Sequence, residues 1–265
     1  MRLLRGDGPL IKVGHRGAAA LEPENTLRAF EAAVAAGVDA IEFDVLDLVR
    51  GPLVLAHSND LFEVSHGLAT GTVRDRSLSE LREVAPELPT LDEALAFFAD
   101  HPGLAVHADL KLQTRLDEVG AAILRHGLGA RTVVSSVHRP SLRALAGTAP
   151  EIRIGFTYPD DRHGVARRRA LRPVVRMSLA AFRAALARRV PAMIASTGAA
   201  ALMLHHAVVS PDAVRRAHAA GTAVWAWTVD LPHELAAVRA AGVDAVITND
   251  PGIFDRDSPA IPGSG

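Results

Sequence analysis

The chain has 265 residues, of which 49% are hydrophobic and 22% charged, with a formal net charge of −1 and no cysteine. This composition can fill one large core, and the near-zero charge excludes a global basic field for nucleic acid. The missing cysteines exclude disulfides and zinc–thiolate sites. No apolar run reaches the length of a bilayer span and residues 1–8 lack a signal-peptide core, so we expect a cytoplasmic protein without stable membrane insertion.

Short apolar runs alternate with alanine-rich amphipathic stretches, a pattern typical of βα units around a parallel sheet. The first strand is predicted at Pro9–Val13, and the helix after it, Glu24–Ala36, ends before a glycine. The second strand, Ala40–Leu48, turns into another extended run at Leu53–His57. Six later strands are predicted, at Leu104–Leu110, Thr132–Ser136, Ile152–Thr157, Ala201–His205, Ala223–Thr228 and Ala245–Thr248. The first two strands and these six give the eight of a (β/α)₈ TIM barrel, spanning about residues 9–254.

Residues 58–89 are less regular and predict a small insertion after the second strand, with one short helix near Leu78–Val84. Thr90, with Glu93 three residues later, predicts a capped helix start. Residues 162–190, rich in Arg and Ala, are interpreted as a solvated helix rather than a binding arm. Without an internal linker, residues 1–265 predict a single domain, with a flexible tail at 255–265.

Two carboxylates lie in residues 40–45 of the second strand, a stretch that is otherwise apolar. Glu42 and Asp44 flank one residue and therefore point to the same face of the strand. Buried together, they repel each other and lose hydration, so they need a cation or several hydrogen-bond donors. Mg²⁺ or Ca²⁺ with oxygen ligands satisfies this need. The alternative, a pair of strand-end carboxylates salt-bridged to arginines, stays open on spacing alone.

The third barrel strand offers a similar group. Asp109 is predicted as a third metal ligand because the C-terminal ends of barrel strands converge on one mouth. Lys111, on the same face two residues later, is predicted to bind substrate oxyanions. For His107, deeper on that face, the favoured interpretation is a hydrogen-bonded core histidine.

Two histidines also stand at predicted strand ends. His15 and Arg16 follow the first strand, and His57 ends the extended run after the second. Histidine is suited to proton transfer near neutral pH, and the arginine fork binds phosphate oxygens. Together with the carboxylates, these residues favour phosphodiester cleavage, in which cations neutralise phosphate charge and two imidazoles move protons.

The signature 14–17, Gly-His-Arg-Gly, followed by 22–26, Glu-Pro-Glu-Asn-Thr, resembles the opening of the glycerophosphodiester phosphodiesterases. Glu42, Asp44 and His57 follow in that family's order, and 226–229 and 242–251 resemble its last two strands. The similarity covers residues 11 to about 254. It implies a (β/α)₈ barrel that takes a small-molecule glycerophosphodiester as substrate. It also implies a divalent metal held by Glu42, Asp44 and an acidic residue of the third strand, and an acid/base pair of His15 and His57. Arg16, assisted by Lys111, would hold the phosphate, and Trp227 would form a wall of the pocket.

The chain departs from the family pattern around its second histidine. Ser58 stands where an aspartate is usual, so His57 is expected to be weaker or to be helped by Asp60. Glu63 stands in the register of a usual arginine, and Asp109 where many members have glutamate. These differences bear on substrate identity more than on reaction class.

The expected reaction gives an alcohol and glycerol 3-phosphate, after attack by water or by a neighbouring substrate hydroxyl. Two alternatives remain: a phospholipase D-like enzyme acting on lysophospholipids, and a catalytically degenerate ligand-binding barrel. The sequence leaves oligomeric state open.

Overall fold

The computed structural model describes residues 2–160 and 172–256. Eight parallel strands close into a barrel, because the first strand pairs with both the second and the last. They are β1 (Ile11–His15), β2 (Ala40–Asp47), β4 (Ala105–Leu110), β5 (Thr132–Ser136), β6 (Arg153–Tyr158), β7 (Ala201–His205), β8 (Ala223–Trp227) and β9 (Ala245–Thr248). The predicted (β/α)₈ TIM barrel is therefore confirmed.

A short ninth strand, β3 (Leu53–Leu55), pairs antiparallel with β2 and lies outside the barrel. Its pairing ends at Leu55, two residues before the predicted end of this run at His57. The described helices are α1 (Leu27–Ala35), α2 (Leu61–Val64), α3 (Leu78–Val84), α4 (Leu91–Ala99), α5 (Leu116–Arg125), α6 (Arg139–Thr148), α7 (Arg172–Thr197), α8 (Pro211–Ala219), α9 (Pro232–Ala241) and α10 (Ile253–Arg256).

Local chemistry explains where the first elements begin and end. Helix α1 begins at Leu27, three residues later than predicted, because Asn25 has a positive φ of 58° and Thr26 is the N-cap. The Thr26 side chain accepts a hydrogen bond from the backbone N–H of Ala29 at 3.1 Å. Strand β1 extends two residues further than predicted and ends at His15.

The insertion contains two short helices, α2 and α3, where the sequence predicted one. Helix α3 has the predicted bounds and starts at a capping box of Ser77 and Glu80. The Thr90–Glu93 capping box at the start of α4 is also confirmed. A small apolar cluster of its own, which includes Leu46, Leu61 and other buried side chains, packs the insertion against β2 and β3.

Residues 162–171 of the predicted Arg-rich helix lie outside the described residues, and α7 covers the rest and continues to Thr197. Of the predicted tail, residues 257–265 also lie outside them, while Asp255 belongs to α10. Across the described ranges, no helix is long and apolar enough to cross a membrane.

The barrel interior is packed at the end where the strands begin. Trp225 is fully buried there among small and branched side chains from several strands, and its Nε1 donates to the carbonyl oxygen of Leu3 at 3.3 Å. The residues before β1 thus help to close this end. Polar side chains that need access to solvent therefore lie at the opposite end of the barrel, where the strands end.

Candidate active site

The turn between β1 and α1 presents the first pair of predicted site residues. Arg16 has a φ of 52° and Gly17 a φ of 88°. A Cβ atom on Gly17 would lie 2.6 Å from the carbonyl oxygen of Ala29 in α1, so only glycine fits this close approach. The Gly-His-Arg-Gly signature is therefore a tight turn that places His15 and Arg16 at the mouth of the barrel.

His15 is hydrogen-bonded to the side-chain amide of Asn249, which is in turn hydrogen-bonded to the carboxylate of Asp230. Its Nδ1 lies 2.7 Å from Oδ1 of Asn249, whose Nδ2 donates to Asp230 at 2.7 Å. Because the carboxylate of Asp230 only accepts, the amide must direct its oxygen towards His15, and the imidazole then carries its proton on Nδ1. Burial, together with the charge of Arg16, lowers the pKa of His15 to about 3, so the ring is neutral near pH 7.

The carboxylate of Asp44 is bonded to two cations and to an amide. Nε of Arg16 lies 2.9 Å and Nζ of Lys111 3.0 Å from its oxygens. Asn25 donates to it at 3.0 Å and accepts its backbone N–H at the same distance. Burial alone would raise the pKa of Asp44, but Lys111 and Arg16 hold it well below its usual value.

Glu42 has much less compensating charge around it. Its Oε2 accepts the backbone N–H of Arg16 at 2.9 Å and lies 3.8 Å from Nε2 of His15. Burial and the neighbouring charge of Asp44 raise the pKa of Glu42 well above its usual value. The site therefore lacks positive charge beside the carboxylate of Glu42.

Asp109 pairs with β2 in register, opposite Asp44. Its carboxylate accepts from Nζ of Lys111 at 2.6 Å, from Oγ1 of Thr157 at 3.0 Å and from the hydroxyl of Ser135. His107 is buried and its Nε2 lies 2.8 Å from Oγ of Ser135. His107 is thus buried and hydrogen-bonded as expected, and it also lines the cavity at the mouth of the barrel.

The second predicted histidine, His57, has a partner that was not expected for it. Nδ1 of His57 lies 2.8 Å from Oε1 of Glu63, and Ser58 donates its hydroxyl to Oε2 at 2.6 Å. The expected helper, Asp60, instead caps α2 by accepting the backbone N–H of Phe62 at 3.0 Å. The expectation for Asp60 was wrong because the short helix turns that side chain onto its own backbone.

All eight predicted site residues line one cavity of about 640 Å³ at the C-terminal end of the barrel: His15, Arg16, Glu42, Asp44, His57, Asp109, Lys111 and Trp227. Trp227 forms part of its wall, held by a hydrogen bond from Nε1 to the carbonyl of Met203 at 2.9 Å. His205 packs against this indole at 5.2 Å between ring centroids, and His206 lies 3.2 Å from Glu234.

The three predicted metal ligands suit a hard divalent cation in donor type and charge. Within residues 2–160 and 172–256, however, no three acidic or histidine side chains already surround a position that could hold a metal ion. The ammonium of Lys111 lies between Asp44 and Asp109 instead. Of the two carboxylates for which a salt bridge to arginine was the alternative, Asp44 forms one, with Arg16. Glu42, with its raised pKa, is the ligand that a cation would stabilise most.

Several contributors to the site were not predicted. Asn25, Glu63, Asp230 and Asn249 come from loops or from a helix of only four residues. Two of them lie inside segments that resemble the family signature, at 22–26 and 242–251, and this was the one signal that pointed to them. Glu63 was noted only as a departure from the family pattern, and nothing in the local pattern singles out Asp230.

Comparison with known proteins decides the family. The model of the glycerophosphoryl diester phosphodiesterase family matches residues 15–253. The chain belongs to this family. The predicted class, a phosphoric diester hydrolase, is therefore confirmed. A glycerophosphodiester phosphodiesterase of Caldanaerobacter subterraneus is 26% identical over 91% of this chain and 94% of its own length. One of Arabidopsis thaliana is 25% identical over 93% of this chain and 72% of its own.

Solved structures share the fold of this family member. A glycerophosphodiester phosphodiesterase of Agrobacterium tumefaciens superposes with a TM-score of 0.72 at 21% identity, covering 94% of this chain and 100% of the other. A phosphodiesterase of Oleispira antarctica, solved in complex with the product sn-glycerol-3-phosphate, gives a TM-score of 0.70 at 22% identity, covering 94% and 96%.

Proposed function

We propose that the protein hydrolyses glycerophosphodiesters to an alcohol and glycerol 3-phosphate, with a divalent cation and with His15 and His57 as the acid/base pair. The observation that carries the proposal is that the two predicted imidazoles, two predicted cationic side chains and three predicted carboxylates all line one cavity. The family and the product named for the Oleispira antarctica structure support the substrate class.

The cation would be held by Glu42, Asp44 and Asp109, and would be Mg²⁺ or Ca²⁺ because all three ligands are hard oxygens. When bound, it supplies positive charge to the phosphate oxygens as the diester is cleaved. Arg16 and Lys111 add charge from the same cavity, and each is already oriented by the carboxylates it contacts.

The proton steps fall to the two histidines. With the Nδ1 proton of His15 bonded to Asn249, its Nε2 can accept the proton of the attacking hydroxyl, whether water or a substrate hydroxyl. The doubly protonated form of His57 then gives its Nε2 proton to the oxygen of the leaving alcohol and keeps the proton on Nδ1. Trp227 forms the wall against which the substrate lies.

The test is a substrate panel led by glycerophosphocholine, assayed for glycerol 3-phosphate with and without Mg²⁺ or Ca²⁺. We expect turnover that chelation abolishes and that His15→Ala reduces by roughly 100-fold or more. Turnover indifferent to both the chelator and the substitution would refute this mechanism. Cation binding without turnover on the whole panel would instead favour the degenerate ligand-binding barrel.

One observation keeps the lysophospholipid alternative in the panel. Three exposed apolar side chains lie beside the mouth: Leu21 and Phe62 line one cavity, and Leu68 lines a second cavity that shares His57 with the active site. Faster turnover of lysophosphatidylcholine than of glycerophosphocholine, lost on combined polar substitution of these three residues, would favour a phospholipase D-like enzyme.

A cytoplasmic location stays a prediction.

A further inference from the structure

A carboxylate from the insertion contacts the second histidine. Helix α2 begins four residues after His57, and its third residue, Glu63, directs Oε1 to Nδ1 of the imidazole at 2.8 Å. Both side chains are mostly buried, with 23% of His57 and 18% of Glu63 exposed. A carboxylate in this position fixes both the rotation and the tautomer of an imidazole.

The carboxylate is itself held in place. The hydroxyl of Ser58 donates to its second oxygen at 2.6 Å, while the same hydroxyl accepts the backbone N–H of Asp60 at 3.2 Å. Nη1 of Arg16 lies 4.0 Å from Oε1 and supplies compensating charge. Both oxygens of Glu63 therefore have defined partners, as expected for a group that orients another side chain rather than one exposed to solvent.

The helix that carries Glu63 is fixed despite its four-residue length. Asp60 caps it, and its first residue, Leu61, is fully buried in the apolar cluster of the insertion. Packing therefore supplies the stability that so short a helix lacks by itself. The position of the Glu63 carboxylate is then set by the core of the insertion.

The two family departures near His57 compensate for each other. Ser58 stands where the family pattern has a carboxylate, and Glu63 stands where it has an arginine. We propose that Glu63 is the positioning residue that holds His57 with its proton on Nδ1, and that it supplies the carboxylate that Ser58 lacks. Proton exchange with the substrate then falls to Nε2 of His57. Ser58 keeps a role as the donor that orients Glu63.

This inference rests on the proposed function, in which His57 is an acid/base group, and the test separates the two. Glu63→Gln keeps the shape of the side chain but removes its charge and lets the amide present a donor to Nδ1. We expect kcat for glycerophosphocholine to fall by about 10- to 100-fold with little change in KM. Glu83→Gln, an exposed glutamate in the same insertion, is the matched control and should keep the wild-type kcat.

Rescue distinguishes positioning from folding. The double variant Ser58→Asp/Glu63→Gln returns a carboxylate to the usual family position, and we expect it to recover most of the lost kcat. Unchanged kcat in Glu63→Gln, or equal kcat in Glu63→Gln and the double variant, would overturn the inference.

A readout without turnover keeps the inference testable if the wild-type protein proves inactive on every diester, which would refute only the proposed function. Long-range ¹H–¹⁵N correlation spectra of the imidazoles report which ring nitrogen is protonated. We expect protonated Nδ1 for His57 in the wild type and in the double variant, and a redistribution towards Nε2 in Glu63→Gln. An unprotonated Nδ1 in the wild type would contradict the role of Glu63 directly.

Discussion

Replacing Asn249 with alanine tests how the active site controls the state of His15. The amide accepts from Nδ1 of the imidazole and donates to Asp230, both at 2.7 Å. A neutral hydrogen bond of this kind is worth about 1 kcal/mol, and about 1.4 kcal/mol corresponds to a tenfold change in an equilibrium. Loss of the bond should therefore reduce the competent tautomer and orientation, and with them kcat, by about 5- to 10-fold.

The same substitution should lower the free energy of unfolding by about 2 kcal/mol, since one of the two lost bonds involves a charged carboxylate. The cost stays near the low end because Asp230 keeps the backbone N–H of Asn249 at 2.9 Å and the hydroxyl of Thr248 at 3.1 Å. Glycerol 3-phosphate release gives kcat, and urea unfolding gives stability.

Asp230→Asn is the companion variant, because an amide at that position can donate and so permits Asn249 to rotate. We expect it to lower kcat in the same direction as Asn249→Ala. If Asn249→Ala retains the wild-type kcat while losing stability, the amide is only structural and the argument for tautomer control fails.

Three other outcomes follow from burial and charge. Phe30→Ala removes a fully buried ring in contact with three others, and it should lower the free energy of unfolding, measured in urea, by about 3–5 kcal/mol. The same change at the exposed Phe62 should lower it by about 0.5 kcal/mol or less. Burial lowers the pKa of His205 to about 4, so the folded state binds fewer protons than the unfolded chain between about pH 6.5 and 4. As pH falls through that window, the free energy of unfolding of the wild type should drop, relative to that of His205→Asn, by up to about 1.4 kcal/mol per pH unit. Parallel curves of stability against pH for the two proteins would contradict this. Lys111→Met should lower the free energy of unfolding by about 3–5 kcal/mol, because Asp44 and Asp109 lose the ammonium group that pairs with both. Added Mg²⁺ or Ca²⁺ should then raise its melting temperature more than that of the wild type, and an equal rise with both proteins would argue against a cation site at these carboxylates.

The residues that the sequence identified share one physical property: each depends on a local pattern. Alternation of apolar strands and amphipathic helices determines a parallel barrel, and that barrel brings strand ends together at one mouth. Glu42 and Asp44 face the same way because strand side chains alternate, and Asp109 lies beside them because β4 pairs with β2. The Gly-His-Arg-Gly turn is likewise encoded locally, by a backbone conformation that requires glycine.

Contacts between residues distant in the chain were decided only by tertiary packing. His15 meets Asn249 across 234 positions, and Asn25 reaches Asp44 from a loop rather than from a regular element. Helix α2 is too short to form by propensity and exists because Leu61 is buried in the core of the insertion. The sequence by itself determined the barrel and the groups at its mouth, while packing determined which carboxylate holds His57 and which cation lies between Asp44 and Asp109.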